Sequence, residues 1–327
     1  MKKLIVILFV IFPTLLISAC TGGTVAHDIY VTVYPLEYVA ERILEDTEYT
    51  VGIVPGVTSH ESSVDWSPKE IIAMTEAKYL FYVGANYDYY IDYQIDSIFS
   101  NKAVELIKIE DTDYLEFIPG ILHEHDHEED HEEETHTVLN DTALGVDPHF
   151  WISPIKVLEA SELIYDKLVI AYPEQADLLE SNYTSLVNDL TELHEDFQDA
   201  ISKLTKPVMT STNLYGYLNH DYGLHFMPIS PGYHEEADQF TSQQKDEVVQ
   251  EALYHDIIYI IYEKYTTSPL SNAVFSELEL MNRNPIKVEF NILQSLRKED
   301  KDAGRNYITI MYENLELLKS AGEYTES

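Results

Sequence analysis

The chain is predicted to be an α/β protein built as two halves, each a mostly parallel sheet with flanking helices, joined by one long helix. Three observations predict this. Apolar runs of strand length alternate with longer helical patterns from residue 29 onward, and such alternation marks parallel sheets covered by helices. A stretch from about 173 to 204 places Leu178, Leu179, Leu186, Leu190, Leu193 and Phe197 on one helix face. The strand–helix alternation then resumes after Pro207. The 327 residues also favour two domains at roughly 150 residues each.

Taken in order, residues 29–34 read as a strand, 36–45 as a helix and 49–54 as a second strand that ends at Pro55-Gly56. Ser67-Pro68-Lys69-Glu70 has the layout of a helix start, with Ser67 as N-cap, Pro68 in the first turn and Glu70 at the third position. Residues 79–83 form another strand. The pattern breaks at 123–136, a tract of five histidines (His123, His125, His127, His131, His136) and eight acids without one apolar residue. Such a tract has no face to bury and reads as disordered. After the long helix, strands at 208–211, 224–229, 257–262 and 286–290 alternate with helices at 213–221, 242–254, 272–281 and 306–320. The sequence carries no clear internal repeat.

Composition narrows the function. Hydrophobic residues make up 45% of the chain and charged residues 24%, enough for a buried core. The balance of 20 basic against 58 acidic residues, −38 in all, argues against a nucleic-acid partner, which requires clustered Lys and Arg at phosphates. It also argues against adhesion to anionic lipid head groups, and it suits the attraction of cations. The single cysteine, Cys20, excludes thiolate zinc fingers, iron–sulfur centres and an internal disulfide. Lys2 and Lys3, the apolar run 4–17 and Ser18-Ala19-Cys20 have the layout of an export signal, too short for a membrane span. Ile17-Ser18-Ala19-Cys20 resembles a bacterial lipobox, which implies cleavage before Cys20 and lipid on its thiol. Thr21-Gly22-Gly23-Thr24 would then be a short flexible stem.

Open α/β sheets bind ligands beyond the carboxyl ends of their strands. His60 follows the strand 49–54, Thr212 follows 208–211, and Glu263 directly follows 257–262. His149 lies in Asp147-Pro148-His149-Phe150-Trp151, a turn before a helix. Any one of these is ordinarily a solvated side chain or a cap. Together they can converge on a cleft, where imidazoles with a carboxylate and no thiol suit Zn²⁺ or Mn²⁺. His123–His127 and His127–His131 also fit the zinc-protease pattern H-E-x-x-H. That chemistry needs a packed helix, which a run with no apolar residue cannot supply.

Four stretches together resemble the metal-binding subunits of bacterial ABC importers, the zinc and manganese solute-binding proteins. They are Val54-Pro55-Gly56-Val57-Thr58-Ser59-His60 with Ser67-Pro68; Asp147-Pro148-His149-Phe150-Trp151-Ile152-Ser153-Pro154; Tyr215-Gly216-Tyr217 with Tyr222-Gly223-Leu224; and Tyr307-Ile308-Thr309-Ile310-Met311 through Asn314-Leu315. The second is the most specific. The acidic histidine tract lies where zinc-specific members carry one. The resemblance implies a two-lobed solute-binding protein, with a signal peptide at 1–20, an N-terminal lobe at 21–172, a linking helix at 173–204 and a C-terminal lobe at 205–327. It implies Zn²⁺, or alternatively Mn²⁺, as the transported ligand of a monomer lipid-anchored at the outer face of the cytoplasmic membrane, on the periplasmic side where an outer membrane exists. The partners implied are an ABC permease and its ATPase, and no reaction is catalysed.

Carried over by position, His60 and His149 match the first two metal ligands and Glu263 the acidic one. Where zinc members place a third histidine, this chain has Thr212, a poor partner for Zn²⁺ beside imidazole and carboxylate. Either a water or another side chain completes the set, with His234 a candidate; His220 and His225 read as a helix face and a strand residue. The tract is expected to be a loose, weak metal-collecting loop, or else a solvated acidic linker. Outside this class stand a metallohydrolase with an open water position on the same ligands, and an adhesin or extracellular zinc buffer.

Overall fold

The computed structural model describes residues 25–57, 64–120, 145–234 and 241–326. The signal segment with Cys20, His60 and the 123–136 tract lie outside the described residues. The first lobe runs β1 (Ile29–Val31), α1 (Tyr34–Ile43), β2 (Val51–Ile53), α2 (Pro68–Glu76), β3 (Tyr79–Tyr82), α3 (Tyr89–Asp92), β4 (Glu105–Lys108) and α4 (Pro154–Ala171). The long helix α5 (Ala176–Ser202) leads into the second lobe. There follow β5 (Val208–Thr210), α6 (Gly216–Tyr222), β6 (Phe226–Pro228), α7 (Ser242–Tyr254), β7 (Tyr259–Glu263), α8 (Pro269–Leu280), β8 (Ile286–Phe290), α9 (Lys298–Asp302) and α10 (Tyr307–Ala321).

Each lobe holds a four-stranded sheet, in the order β2-β1-β3-β4 and β6-β5-β7-β8. Every pairing within them is parallel. The two orders are the same plan, although the sequence shows no repeat. In each sheet the first strand is flanked by the second and third, so the chain reverses its direction of winding there. The crevice at such a switch point is where open α/β sheets bind ligands.

The strands are read by their period of two. Ile29 and Val31 of β1, with Tyr79 and Phe81 of β3, face a large core that continues through α5 into Val208, Ile261 and Tyr307 of the second lobe. Tyr30, Leu80 and Tyr82 face the opposite side, with Trp66 and Met74. Met209, Ile260 and Tyr262 do the same in the second lobe, against Val249 and Val274. Ser67 caps α2 as expected, its side chain accepting from the Glu70 N–H while the Glu70 carboxylate accepts from the Ser67 N–H at 2.7 Å.

The elements differ from the sequence expectation in a few places. The fourth strand, β4, was hidden because it is a sheet edge with a charged residue at each end, Glu105 and Lys108. The helix expected from 213 begins at Gly216, because the Asn213 N–H donates to Gly232 O at 3.0 Å and holds 211–213 in a bend. The stretch from 173 opens with a 3₁₀ turn, Pro173–Gln175, before α5 starts at Ala176. Pro269 starts α8 earlier than 272, since proline fits the first helical position.

The lobes are fastened to each other below the crevice. Trp151 Nε1 donates to Ile292 O at 2.8 Å, the Tyr307 hydroxyl donates to Trp151 O at 2.9 Å, and the Tyr34 N–H donates to Gln294 O at 3.1 Å. The Tyr38 and Tyr307 rings stack at 5.8 Å. Among the described residues, no helix is long and apolar enough to cross a membrane.

Candidate metal centre

His149 starts the short turn Phe150–Ile152 that leads into α4. It is 3% exposed, and Asp147 beside it is 1% exposed. Asp147 Oδ1 accepts both the backbone N–H and the Nδ1–H of His149, each at 2.9 Å. An ionised carboxylate only accepts, so it fixes the proton on Nδ1 and leaves Nε2 with a free lone pair. A ligating histidine normally has this carboxylate backing, which orients the ring and raises its basicity. The Asp147 backbone is held in turn, since the Tyr217 hydroxyl donates to Asp147 O at 3.1 Å.

Aromatic rings wall the imidazole. Tyr87, Trp151 and Tyr233 stand edge-on to it at 6.1, 5.4 and 5.0 Å between ring centres. Tyr87 follows β3 through a left-handed run, Gly84, Ala85 and Asn86, with φ of 83°, 49° and 58°. Two carboxylates hold that run. Asp88 Oδ2 accepts from the Val83 and Gly84 N–H groups, and Glu110 Oε2 from the Ala85 N–H at 2.6 Å.

From the other lobe, Glu263 ends β7, its N–H donating to Ser211 Oγ at 3.2 Å. Burial pushes its carboxyl above the usual range, while a hydrogen bond with Thr266 and the nearby His149 pull the other way. His149 and Glu263, from separate lobes, therefore lie within electrostatic reach. Burial likewise raises the phenols of Tyr87 and Tyr215, and the Glu263 charge adds to both. Glu263 Oε2 is buried and makes no hydrogen bond.

Thr212 is 2% exposed, in the bend between β5 and α6, and its Oγ1 is also buried without a partner. His234 is half-buried, its carbonyl accepting from Ser230 Oγ at 3.1 Å. Its neighbour Tyr233 is the residue that meets His149. His220 is 47% exposed and bonds Asp221, and His225 is exposed. Among the described residues, no group of three or more His, Cys, Asp or Glu could hold a metal; His60, the further candidate, lies outside them. The structure thus brings His149, Glu263 and Tyr87 together and sets Tyr233 across the junction. Sequence reasoning missed Tyr87 and Tyr233. The strand-end rule that singled out Glu263 also applies to Tyr87, while nothing in the local pattern marks Tyr233.

Residues 29–321 match the family described as zinc-uptake complex component A, periplasmic, or ZnuA. The chain belongs to the ZnuA family. The zinc-binding lipoprotein AdcA of Streptococcus pneumoniae (strain ATCC BAA-255 / R6) is 28% identical over 324 residues, covering 98% of this chain and 61% of that protein. The chain therefore spans about three fifths of the length of this curated relative. The high-affinity zinc uptake system protein ZnuA of Bacillus subtilis (strain 168) is 27% identical, covering 93% of this chain and 90% of its own. Among solved structures, the Zn(II)-bound ZnuA-like domain of Streptococcus pneumoniae AdcA superposes with a TM-score of 0.69 at 24% identity, over 91% of this chain and all of that one. At that identity the likeness speaks for the fold: two α/β lobes, each with a parallel sheet, and one long helix between them.

Proposed function

We propose that the protein captures Zn²⁺ outside the cell between its two lobes and delivers it to an ABC permease and its ATPase. One observation carries this reading. A buried histidine of the first lobe, with its Nδ1 committed to Asp147, lies within electrostatic reach of a partly buried carboxylate of the second, one of whose oxygens is buried without a hydrogen bond. His149, Glu263 and His60 are the proposed ligands, with Thr212 at the place of the family's third histidine. The lobes would divide at the linking helix 173–204, into 21–172 and 205–327. The bonds that fasten them below the crevice limit closure to a small rocking motion. Capture exchanges the ion's water for protein ligands, and no covalent bond of a substrate is made or broken. The lipobox at Cys20 supports a lipid anchor at the outer face of the cytoplasmic membrane, and a monomer suffices for the task.

Mn²⁺ is the second reading, favoured by Thr212, because an oxygen in place of an imidazole moves a site toward harder ions. Competition titrations of Zn²⁺ against Mn²⁺ separate the two. For the main reading, His60→Ala, His149→Ala and Glu263→Ala should each weaken Zn²⁺ binding about tenfold or more, a loss of about 1.4 kcal/mol. Zn²⁺ should also raise the melting temperature of the wild type, since only the folded chain assembles the ligands. Unchanged tight binding in all three variants would place the site elsewhere.

A further inference from the structure

His149 and Glu263 come from different lobes, and a continuous run of bonds connects them. The Glu263 N–H donates to Ser211 Oγ at 3.2 Å. Ser211 opens the bend 211–213, which leads into α6. That bend is fixed on its other side, where Asn213 donates from its backbone N–H to Gly232 O and from its side chain to Pro231 O, each at 3.0 Å. The helix α6 then meets the segment 147–155 of the first lobe, in which His149 stands.

Three side chains of α6 hold that segment, on both sides of His149. The Tyr217 hydroxyl accepts from the Ile118 N–H at 3.2 Å and donates to Asp147 O at 3.1 Å. Asp221, one helical turn further on, accepts from Ser153 Oγ at 2.5 Å. The Tyr222 hydroxyl accepts from the Ile155 N–H at 3.1 Å and is bonded to His194 Nδ1 of α5 at 3.0 Å. Tyr217 and Ser153 are each 0% exposed, so water does not compete for these bonds. A single buried hydroxyl therefore serves two buried backbone groups, and both lose their partner if it is removed. The same segment is tied to the second lobe again through Trp151, by Ile292 and Tyr307.

A ligand held near its bonding position before the ion arrives costs less to order on binding. Resting on the metal-capture reading above, we infer that α6 positions His149, with Tyr217 and Asp221 as positioning residues that act through the segment 147–153 and not on the metal. The placement of His149 against Glu263 is then set by the run of bonds through Ser211 and α6, before any ion binds. Removing the Tyr217 hydroxyl loosens Asp147, and with it the carboxylate that orients the imidazole.

Thermodynamic coupling tests this. Tyr217→Phe keeps the ring and removes the hydroxyl, and should weaken Zn²⁺ binding about tenfold. Affinity is measured by competition titration at a temperature where circular dichroism shows every variant folded. A residue that only supports the fold lowers the apo melting temperature and leaves the affinity of the folded chain alone. A residue that acts through His149 has nothing left to act on once the imidazole is gone, so Tyr217→Phe should cost no further affinity in the His149→Ala chain. Ser153→Ala, which breaks the bond to Asp221 on the other side of His149, should follow the same pattern and carries the test if Tyr217→Phe does not fold. If the folded variants bind Zn²⁺ as tightly as the wild type, or if their losses persist undiminished beside His149→Ala, α6 does not position His149. If His149→Ala by itself leaves Zn²⁺ binding unchanged, the capture site is elsewhere and the inference falls with it.

Discussion

In the ligand role proposed for His149, Asp147 decides which of its nitrogens is free. Both residues stand in the motif Asp147-Pro148-His149, so the pair was legible in the sequence, but the 2.9 Å bond that sets the tautomer was not. Asp88 is a second buried carboxyl, fully enclosed and bonded to the Val83 and Gly84 N–H groups and the Tyr90 hydroxyl. Burial pushes its pKa up to about 7 from an ordinary 3.8, more than its hydrogen bonds pull it down. Between those two values the folded chain keeps a proton that the unfolded chain has released. The contribution of this group to stability is therefore greatest at the acid end of the window and falls as pH rises toward 7. Asp88→Asn does not titrate. The melting temperature of the wild type minus that of Asp88→Asn should shrink as pH is raised from about 4 to about 7, measured by thermal unfolding of both proteins across that range. A gap that stays constant or widens would mean that the carboxyl is not shifted upward.

At the scale of elements, α5 follows its pattern closely. Of the six residues read on one helix face, Leu179, Leu186, Leu190, Leu193 and Phe197 are each 0% exposed, and Leu178 is half-buried. They pack where α5 meets α1, α4, α6 and α10, so one helix carries part of the core of both lobes. Leu190→Ala should cost about 2–5 kcal/mol, the usual range for emptying a buried leucine site, as read by urea unfolding. A loss below about 0.5 kcal/mol, typical of a surface substitution, would show that the helix does not carry the core at that point. Periodicity could find α5 because 27 residues repeat one pattern. It could not find β4, four residues long with charged ends, whose strand character comes from pairing with β3.

On the scale of the whole molecule, the described residues on either side of 121–144 are bonded to each other. Pro119 bridges Val146, the Gly120 N–H donates to Gly145 O at 2.7 Å and the Asp147 N–H to Ile118 O at 3.0 Å. The two ends of the segment thus meet just before His149. Deleting 124–136 should leave the apo melting temperature and the tight metal site intact while lowering the number of weakly bound ions, as counted by calorimetric titration. A collapse of apo stability would make the tract structural. The sequence alone determined the α/β class and the long helix, and it singled out the proposed ligands, because these depend on short-range periodicity and on motifs a few residues long. Only the tertiary structure decided that Glu263 comes within electrostatic reach of His149, that the Tyr233 ring stands edge-on to it from the second lobe, and that both sheets follow one strand order. Those contacts join residues far apart in the chain, and they are set by how two sheets and a shared helix pack, which no local pattern records.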